Sequence, residues 1–210
     1  MIDQDLLTEI QFALLEPPDG GQTWPSEVWT RDEVIGNLNS NIWGWLRDTH
    51  AIVTSVDVVV LAAALGVVTL PSDWLATGTC VWRSAAGVRT PIGPVDRFEG
   101  DLALPTWETT VGSPLGYDEF EGDTLTLQLI PRPAANGTLE LLYVARPAAV
   151  NGSGATLPIP DEFATAAKYG CLGMLLRKVG RLVDPDRASY CEQRYDLTVE
   201  VTKILLQGWA

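Results

Sequence analysis

Ile2, Leu6, Leu7, Ile10, Ala13 and Leu14 recur at helical spacing near the start of the chain. That periodicity predicts a short amphipathic helix, with Asp3 and Asp5 in the first turn, where acidic groups favour the helix dipole. Glu16-Pro17-Pro18-Asp19-Gly20-Gly21 breaks the pattern, because prolines and glycines end a helix and open a loop. Thr30-Arg31-Asp32-Glu33 reads as a capping box, in which the Thr30 hydroxyl accepts the Glu33 amide and the Glu33 carboxylate reaches back. Val34, Ile35, Leu38, Ile42, Trp45 and Leu46 follow as one apolar stripe, so a second helix is expected there. Trp24 and Trp29 stand just before it, placed either to staple its entry or to anchor a partner.

From about Ile52 the period changes to two. Val56, Val58 and Val60 alternate with Ser55, Asp57 and Val59, and Val67–Leu70 and Thr79–Arg83 add further strand-like runs. Pro91–Pro114 has no regular period. Leu125, Leu127 and Leu129 alternate with Thr124, Thr126 and Gln128, and Leu139–Ala145 reads as a return strand. The intervening Pro131–Gly137 ends in Asn-Gly, so this stretch is expected to form a hairpin. Asn151-Gly152-Ser153-Gly154 is flexible-loop chemistry, and Leu157-Pro158-Ile159-Pro160-Asp161 leads into a third helix. Phe163, Ala166, Ala167, Gly170, Cys171, Met174 and Leu175 give that helix a small-residue face suited to close packing. Asp184-Pro185 supplies an N-cap and a first-turn proline for a last helix of about six turns, reaching Gly208. Tyr190, Arg194, Leu197, Val201, Ile204 and Leu205 run down one side of it.

Helices, then strands, then helices predict an α+β fold: a bundle of N- and C-terminal helices with an inserted antiparallel β lobe. The expected domains are residues 1–50 with 157–210 as the helical part and 51–156 as the β part.

Charge changes the picture of partners. Residues 1–160 carry 20 acidic side chains against 7 Arg and no Lys, whereas residues 161–210 carry 7 of each sign. Nucleic acid phosphates need Lys and Arg for counterion release, so a sequence-reading DNA binder is excluded and only an acidic wall past which DNA slides is compatible. The apolar stretch Ala51–Leu70 contains Asp57, and its uninterrupted part runs about 13 residues where a membrane span needs roughly 20. MIDQDLLTEI is acidic where a secretory signal is basic. Cys80, Cys171 and Cys191 form no metal or disulfide pattern and are expected as reduced, mostly buried thiols.

Catalytic chemistry finds little to stand on. His50 is the only histidine, sits at a helix end and has no nucleophile signature nearby, so it reads as a surface or helix-end residue. Asp118-Glu119-Phe120-Glu121-Gly122-Asp123 is the densest carboxylate run; it reads as a charged hairpin entry, with a divalent cation as the alternative. The glycines show neither a dinucleotide fingerprint nor a phosphate loop. No catalytic, cofactor or metal residue is assigned. Trp43 and Trp45 on the second helix read as core or subunit contact, and Trp209, like Trp24 and Trp29, as core or interface anchor.

The order of these motifs resembles the head-to-tail adaptor family of tailed phages, the tail tubular protein A type of short-tailed phages. The resemblance runs from the first helix and the Trp-bearing loop through Thr30–Leu46 to the valine-rich segment ending Leu70-Pro71-Ser72-Asp73. It continues through Trp107, Gly112-Ser113-Pro114, Tyr117, Leu129-Ile130-Pro131-Arg132-Pro133 and Tyr143, then Leu157–Asp161 into helices with Ala167, Tyr169 and Gly170. The acidic excess and the segment Pro91–Leu104 depart from the family pattern. The resemblance implies a structural virion protein of the neck, assembled in the host cytoplasm, with no catalysis and no cofactor. It implies a ring of about twelve subunits between the portal and the tail nozzle or tail tube, through which DNA passes unread. On that reading Tyr190, Arg194, Leu197, Val201, Leu205 and Trp209, with Trp24 and Trp29, form the portal or ring interface. Glu16–Pro25 and Ala148–Thr156 are then candidates for ordering on assembly. Another neck or tail component, such as a tail terminator or baseplate module, is the alternative, with a carbohydrate-binding module or enzyme behind it.

Overall fold

The computed structural model describes residues 1–14, 28–62, 66–96, 98, 102, 105–106, 109–119, 125–178 and 183–207. The chain divides into two compact units, Met1–Ala51 with Pro147–Ala210, and Ile52–Arg146. The first holds helices and the second a sheet, a mixed α+β architecture.

In the helical unit, α1 (Asp3–Ala13) buries Leu6, Leu7 and Ile10. Helix α2 (Arg31–Thr49) starts at Thr30, whose hydroxyl accepts the Glu33 amide at 3.2 Å. The Glu33 carboxylate does not close the capping box; it pairs with Lys178 Nζ at 2.7 Å, a stronger partner than a backbone amide. Val34, Leu38, Ile42, Trp45 and Leu46 are buried as the periodicity requires, and His50 forms the left-handed C-cap, its amide donating to the Leu46 carbonyl. A short 3-10 turn, Asp161–Phe163, leads into α3 (Ala164–Leu176), and α4 spans Pro185–Gln207.

Helix α3 is the centre of this unit. It packs against α1, α2 and α4, and its buried residues lie on nearly every side: Ala164, Ala166, Ala167, Gly170, Cys171, Leu172, Gly173, Leu175 and Leu176. A helix with neighbours all round cannot carry a polar face, and it needs small residues where backbones come close. At Gly170 a Cβ would lie 2.3 Å from Asn41 Oδ1 of α2 and 2.9 Å from the Tyr195 ring of α4.

The segment after the sheet, read above with the strands, groups with the helices. Asn39 of α2 clamps Val150 from both sides, accepting its amide at 2.7 Å and donating to its carbonyl at 2.9 Å. The buried Asp3 carboxylate accepts the amides of Gly152 at 2.7 Å and Gly154 at 2.8 Å, and Arg31 donates to the Asn151 and Gly152 carbonyls. Gly152 has φ +71° and no room for a Cβ against Arg31 and Leu7, so glycine is required there. The loop chemistry is real, yet α1 and α2 supply the groups that hold it. Glu16–Pro25, the other stretch expected to order on assembly, lies outside the described residues.

In the second unit, a seven-stranded sheet has the order β1-β9-β3-β4-β6-β7-β2. Its strands are β1 (Thr54–Val60), β2 (Val67–Thr69), β3 (Trp74–Ser84), β4 (Arg89–Pro94), β6 (Gly116–Glu119), β7 (Thr126–Ile130) and β9 (Gly137–Ala145). All neighbours are antiparallel except β4 and β6, which run parallel; β5 (Val111–Gly112) and β8 (Arg132–Pro133) form a separate parallel pair. Consecutive strands β1 and β2 sit at opposite edges. In a flat sheet those edges would be about 29 Å apart, whereas the chain from Val60 to Val67 reaches at most about 24 Å. The sheet therefore curls, and Val60 and Val68 from the two edges join one core with Cys80, Trp82, Leu127, Leu129, Leu139 and Leu141.

The expected hairpin over residues 125–145 does not form. Strand β7 pairs with β6 and β2, while β9 pairs with β1 and β3. Alternation identified both strands correctly, but Asn-Gly here is not a hairpin turn. Gly137 opens β9 beneath Trp82, whose ring carbons lie 2.3 and 2.4 Å from where a Cβ would stand. Glycine is needed for that close approach.

Two sets of substitutions test this packing by chemical denaturation. Gly170→Ala is expected to destabilise by roughly 1–2 kcal/mol, because overpacking outweighs the helix-propensity gain. Gly36→Ala, in exposed α2 with nothing within 4 Å of the new Cβ, is expected to stabilise by roughly 0.5–1 kcal/mol. Equal effects at the two sites would refute the close α2–α3–α4 approach. Asp3→Ala strips two amides of a charged acceptor and is expected to cost about 2–3 kcal/mol; a loss below about 0.5 kcal/mol would show that the carboxylate does not hold the loop.

Candidate assembly surface

Helix α4 begins where the sequence places it. The Asp184 carboxylate accepts the Arg187 amide at 3.0 Å, Pro185 fills the first turn, and the Arg187 guanidinium reaches back to the Ala13 carbonyl at the C-terminal end of α1. That contact satisfies a carbonyl left open by α1 and places a cation at the negative end of its dipole.

The two sides of α4 are unlike. Toward its own unit it buries Ala188, Cys191, Val199 and Thr202, with Tyr195 and Thr198 half-buried. Thr198 and Thr202 satisfy their hydroxyls within the helix, donating to the Arg194 and Thr198 carbonyls at 2.8 Å. The large apolar side chains face outward: Tyr190, Leu197, Val201, Ile204 and Leu205 are 49, 55, 45, 67 and 52% exposed. Arg194 joins them, donating to the Tyr190 hydroxyl at 2.9 Å with its guanidinium 5.3 Å from the Tyr190 ring centre. Tyr190 in turn meets Tyr169 of α3 edge-on. A helix serving only its own fold would bury its leucines and expose its threonines. Here the inward face is made mostly of small residues, with Tyr195 and Glu192 reaching the glycines of α3.

The residues singled out from the sequence separate accordingly. Tyr190, Arg194, Leu197, Val201 and Leu205 share the outward face of α4, and Ile204 belongs with them. Trp29 takes the other of its two readings: it is 2% exposed, and its indole N–H donates to the Leu175 carbonyl of α3 at 3.1 Å. It staples the entry of α2 and offers no surface to a partner. Trp24 and Trp209 lie outside the described residues. Trp45 is buried against Phe163, Trp82 lies in the sheet core, and Trp43 and Trp74 are half-buried. The described tryptophans thus form no exposed row of the kind a sugar would stack on.

The described cations of the helical C-terminal segment are engaged within the unit. Lys168 pairs with Glu9, Arg177 with Glu192, Lys178 with Glu33, Arg187 with Asp184 and Lys203 with Glu200. Each such pair adds little stability, but together they leave no bare basic patch among the described residues for a phosphate backbone. Asp118 and Glu119 lie on β6, the rest of their acidic run falls outside the described residues, and no cluster able to hold a metal occurs among those described. No described helix is long and apolar enough to cross a membrane.

A family model described as SU10 adaptor protein matches residues 4–203 of the chain. No curated protein matches it.

The three cysteines are free and buried. Burial, reinforced by the charge of Glu119, pushes the Cys80 thiol up to about 12, and burial alone pushes Cys171 up to about 12. Burial also raises Cys191. Thiolates are the reactive form, so at pH 8 Cys80 and Cys171 are expected to react with a thiol reagent at least about 100-fold more slowly in the folded protein than in denaturant, and Cys191 more slowly as well. One thiol labelled at the unfolded rate without denaturant would contradict the burial of that residue.

Proposed function

The chain belongs to the SU10 adaptor protein family of phage head-to-tail adaptors, and from that premise we propose that it is a ring-forming neck subunit joining portal to tail. The helical unit serves as the docking bundle, and Ile52–Arg146 as an inserted lobe that contacts neighbouring subunits and the tail nozzle or tube. The acidic side chains that dominate residues 1–160 face a channel through which DNA passes without adhering. The ring holds about twelve copies, and it is a virion part assembled in the host cytoplasm.

The outward apolar face of α4 carries this reading. Tyr190, Leu197, Val201, Ile204 and Leu205 present a contiguous stripe on the order of 500 Å², the size at which exposed apolar patches mark interaction sites. Their spacing along α4 is that of a helix–helix seam, and Arg194 within the stripe fixes register as a polar seam residue does. The portal is the partner proposed for it. Burying this stripe returns about 12 kcal/mol gross, comparable to the cost of fixing one protein on another. One copy on its own therefore binds weakly, and a closed ring gains from many copies engaging one symmetric platform. The free subunit is accordingly a monomer that oligomerises on the portal.

Size-exclusion chromatography with light scattering, with and without portal, tests this. The parent is expected to run as a monomer alone and to co-elute as a ring with portal. Leu197→Glu with Val201→Glu, at positions already exposed, is expected to keep the parent's thermal midpoint and lose at least about tenfold in portal affinity. A parent that ignores the portal, or a double variant that assembles like the parent, would overturn the proposal.

A further inference from the structure

Strand β1 is an open edge of the sheet. It pairs with β9 on one side from Thr54↔Tyr143 to Val60↔Gly137, and among the described residues no strand lies on its other side. The opposite edge, β2, is three residues long, whereas β1 offers seven. Long open edges are normally shortened, bulged or covered, since their unpaired N–H and C=O groups are a template for another strand.

The side chains of β1 show the same incompleteness. Val56 and Val58 point toward the core yet are only half-buried, although their neighbours across the ladder, Leu141 and Leu139, are 1% and 0% exposed. The apolar layer stops one strand short of being covered. On the other face, Asp57 stands directly across from Glu140, a like-charge pair balanced by Arg83, which pairs with both at 2.9 and 3.3 Å, and by Arg89, which pairs with Glu140. Beyond Asp57 this face is open, and Val59 beside it is 72% exposed. The unit is strongly acidic, with 11 carboxylates against 5 arginines in residues 52–146.

We infer that β1 receives an extended strand from a different virion protein, one that alternates apolar, basic and apolar residues. Its backbone completes the ladder along Thr54–Val60. Its apolar residues lie beside Val56 and Val58 and close the core, and the basic residue between them lies on the outer surface of a unit whose carboxylates outnumber its arginines. A second copy of this chain fits less well, because its strands bring the same acidic excess to the contact. The inference rests on the proposed role as a virion part.

The test uses intact phage particles carrying the full chain with a benzoylphenylalanine photo-crosslinker in place of Val59, together with hydrogen exchange of the β1 amides in the parent. The expected result is a crosslink to one non-identical virion protein, within a segment of alternating apolar and basic residues. The amides of residues 54–60 are expected to exchange at least about tenfold more slowly in the particle than in the free subunit. A crosslink to another copy of this chain would overturn the inference. So would a particle that contains the chain but shows no crosslink and unchanged β1 exchange. Absence of the chain from the particle would instead overturn the role as a virion part, and the strand partner with it.

Discussion

The close approach of α2 and α4 to the glycine and alanine surface of α3 is the constraint on which the helical unit depends. Gly170 meets Asn41 on one side and Tyr195 on the other, and Gly173 meets Glu192. Because α3 carries no side chain at these two points, Asn41, Tyr195 and Glu192 reach its backbone, and small residues fill the rest of the contact. Ala188, Cys191 and Thr202 do so from α4. The large aliphatic residues of α4, Leu197, Val201, Ile204 and Leu205, lie on its opposite side and face outward. The exposed apolar stripe takes no part in this packing, so it is accessible without any rearrangement of the subunit.

This arrangement separates stability from assembly. Side chains that hold the unit together, such as Trp29 on the Leu175 carbonyl, Asn39 around Val150 and Asp3 under the glycine loop, are distinct from those that face outward on α4. If the stripe is the docking surface proposed above, changes to it alter association while leaving folding intact. The sheet unit repeats the pattern in another form. A well-filled core spans the curled sheet, and the β1 edge is left with core-facing valines half-covered.

Much of this was legible in the sequence, and the exceptions have physical causes. Thr30 and Asp184-Pro185 announced their helices because capping chemistry is local. Periodicity found the α4 stripe but not its direction. Which face turns inward is decided by α3, a helix almost without sidedness, and no pattern within α4 encodes that. The same limit explains why β7 and β9 were expected to pair with each other and do not. Alternation tells which residues share a face, while the choice of neighbour is made by the sheet as a whole. Glycine was misread where its role was tertiary: Gly137 makes room for Trp82 rather than turning a hairpin, and Gly152 sits in a loop that Asp3 and Arg31 hold in place.

Family membership and the outward face of α4 support the proposal that this helix is an assembly surface for a symmetric partner. A density map of the virion neck tests it most directly. The account predicts this chain as a closed ring between portal and tail, with Tyr190, Leu197, Val201 and Leu205 buried against portal helices. A ring in which those side chains face solvent, or a neck without this chain, would contradict it.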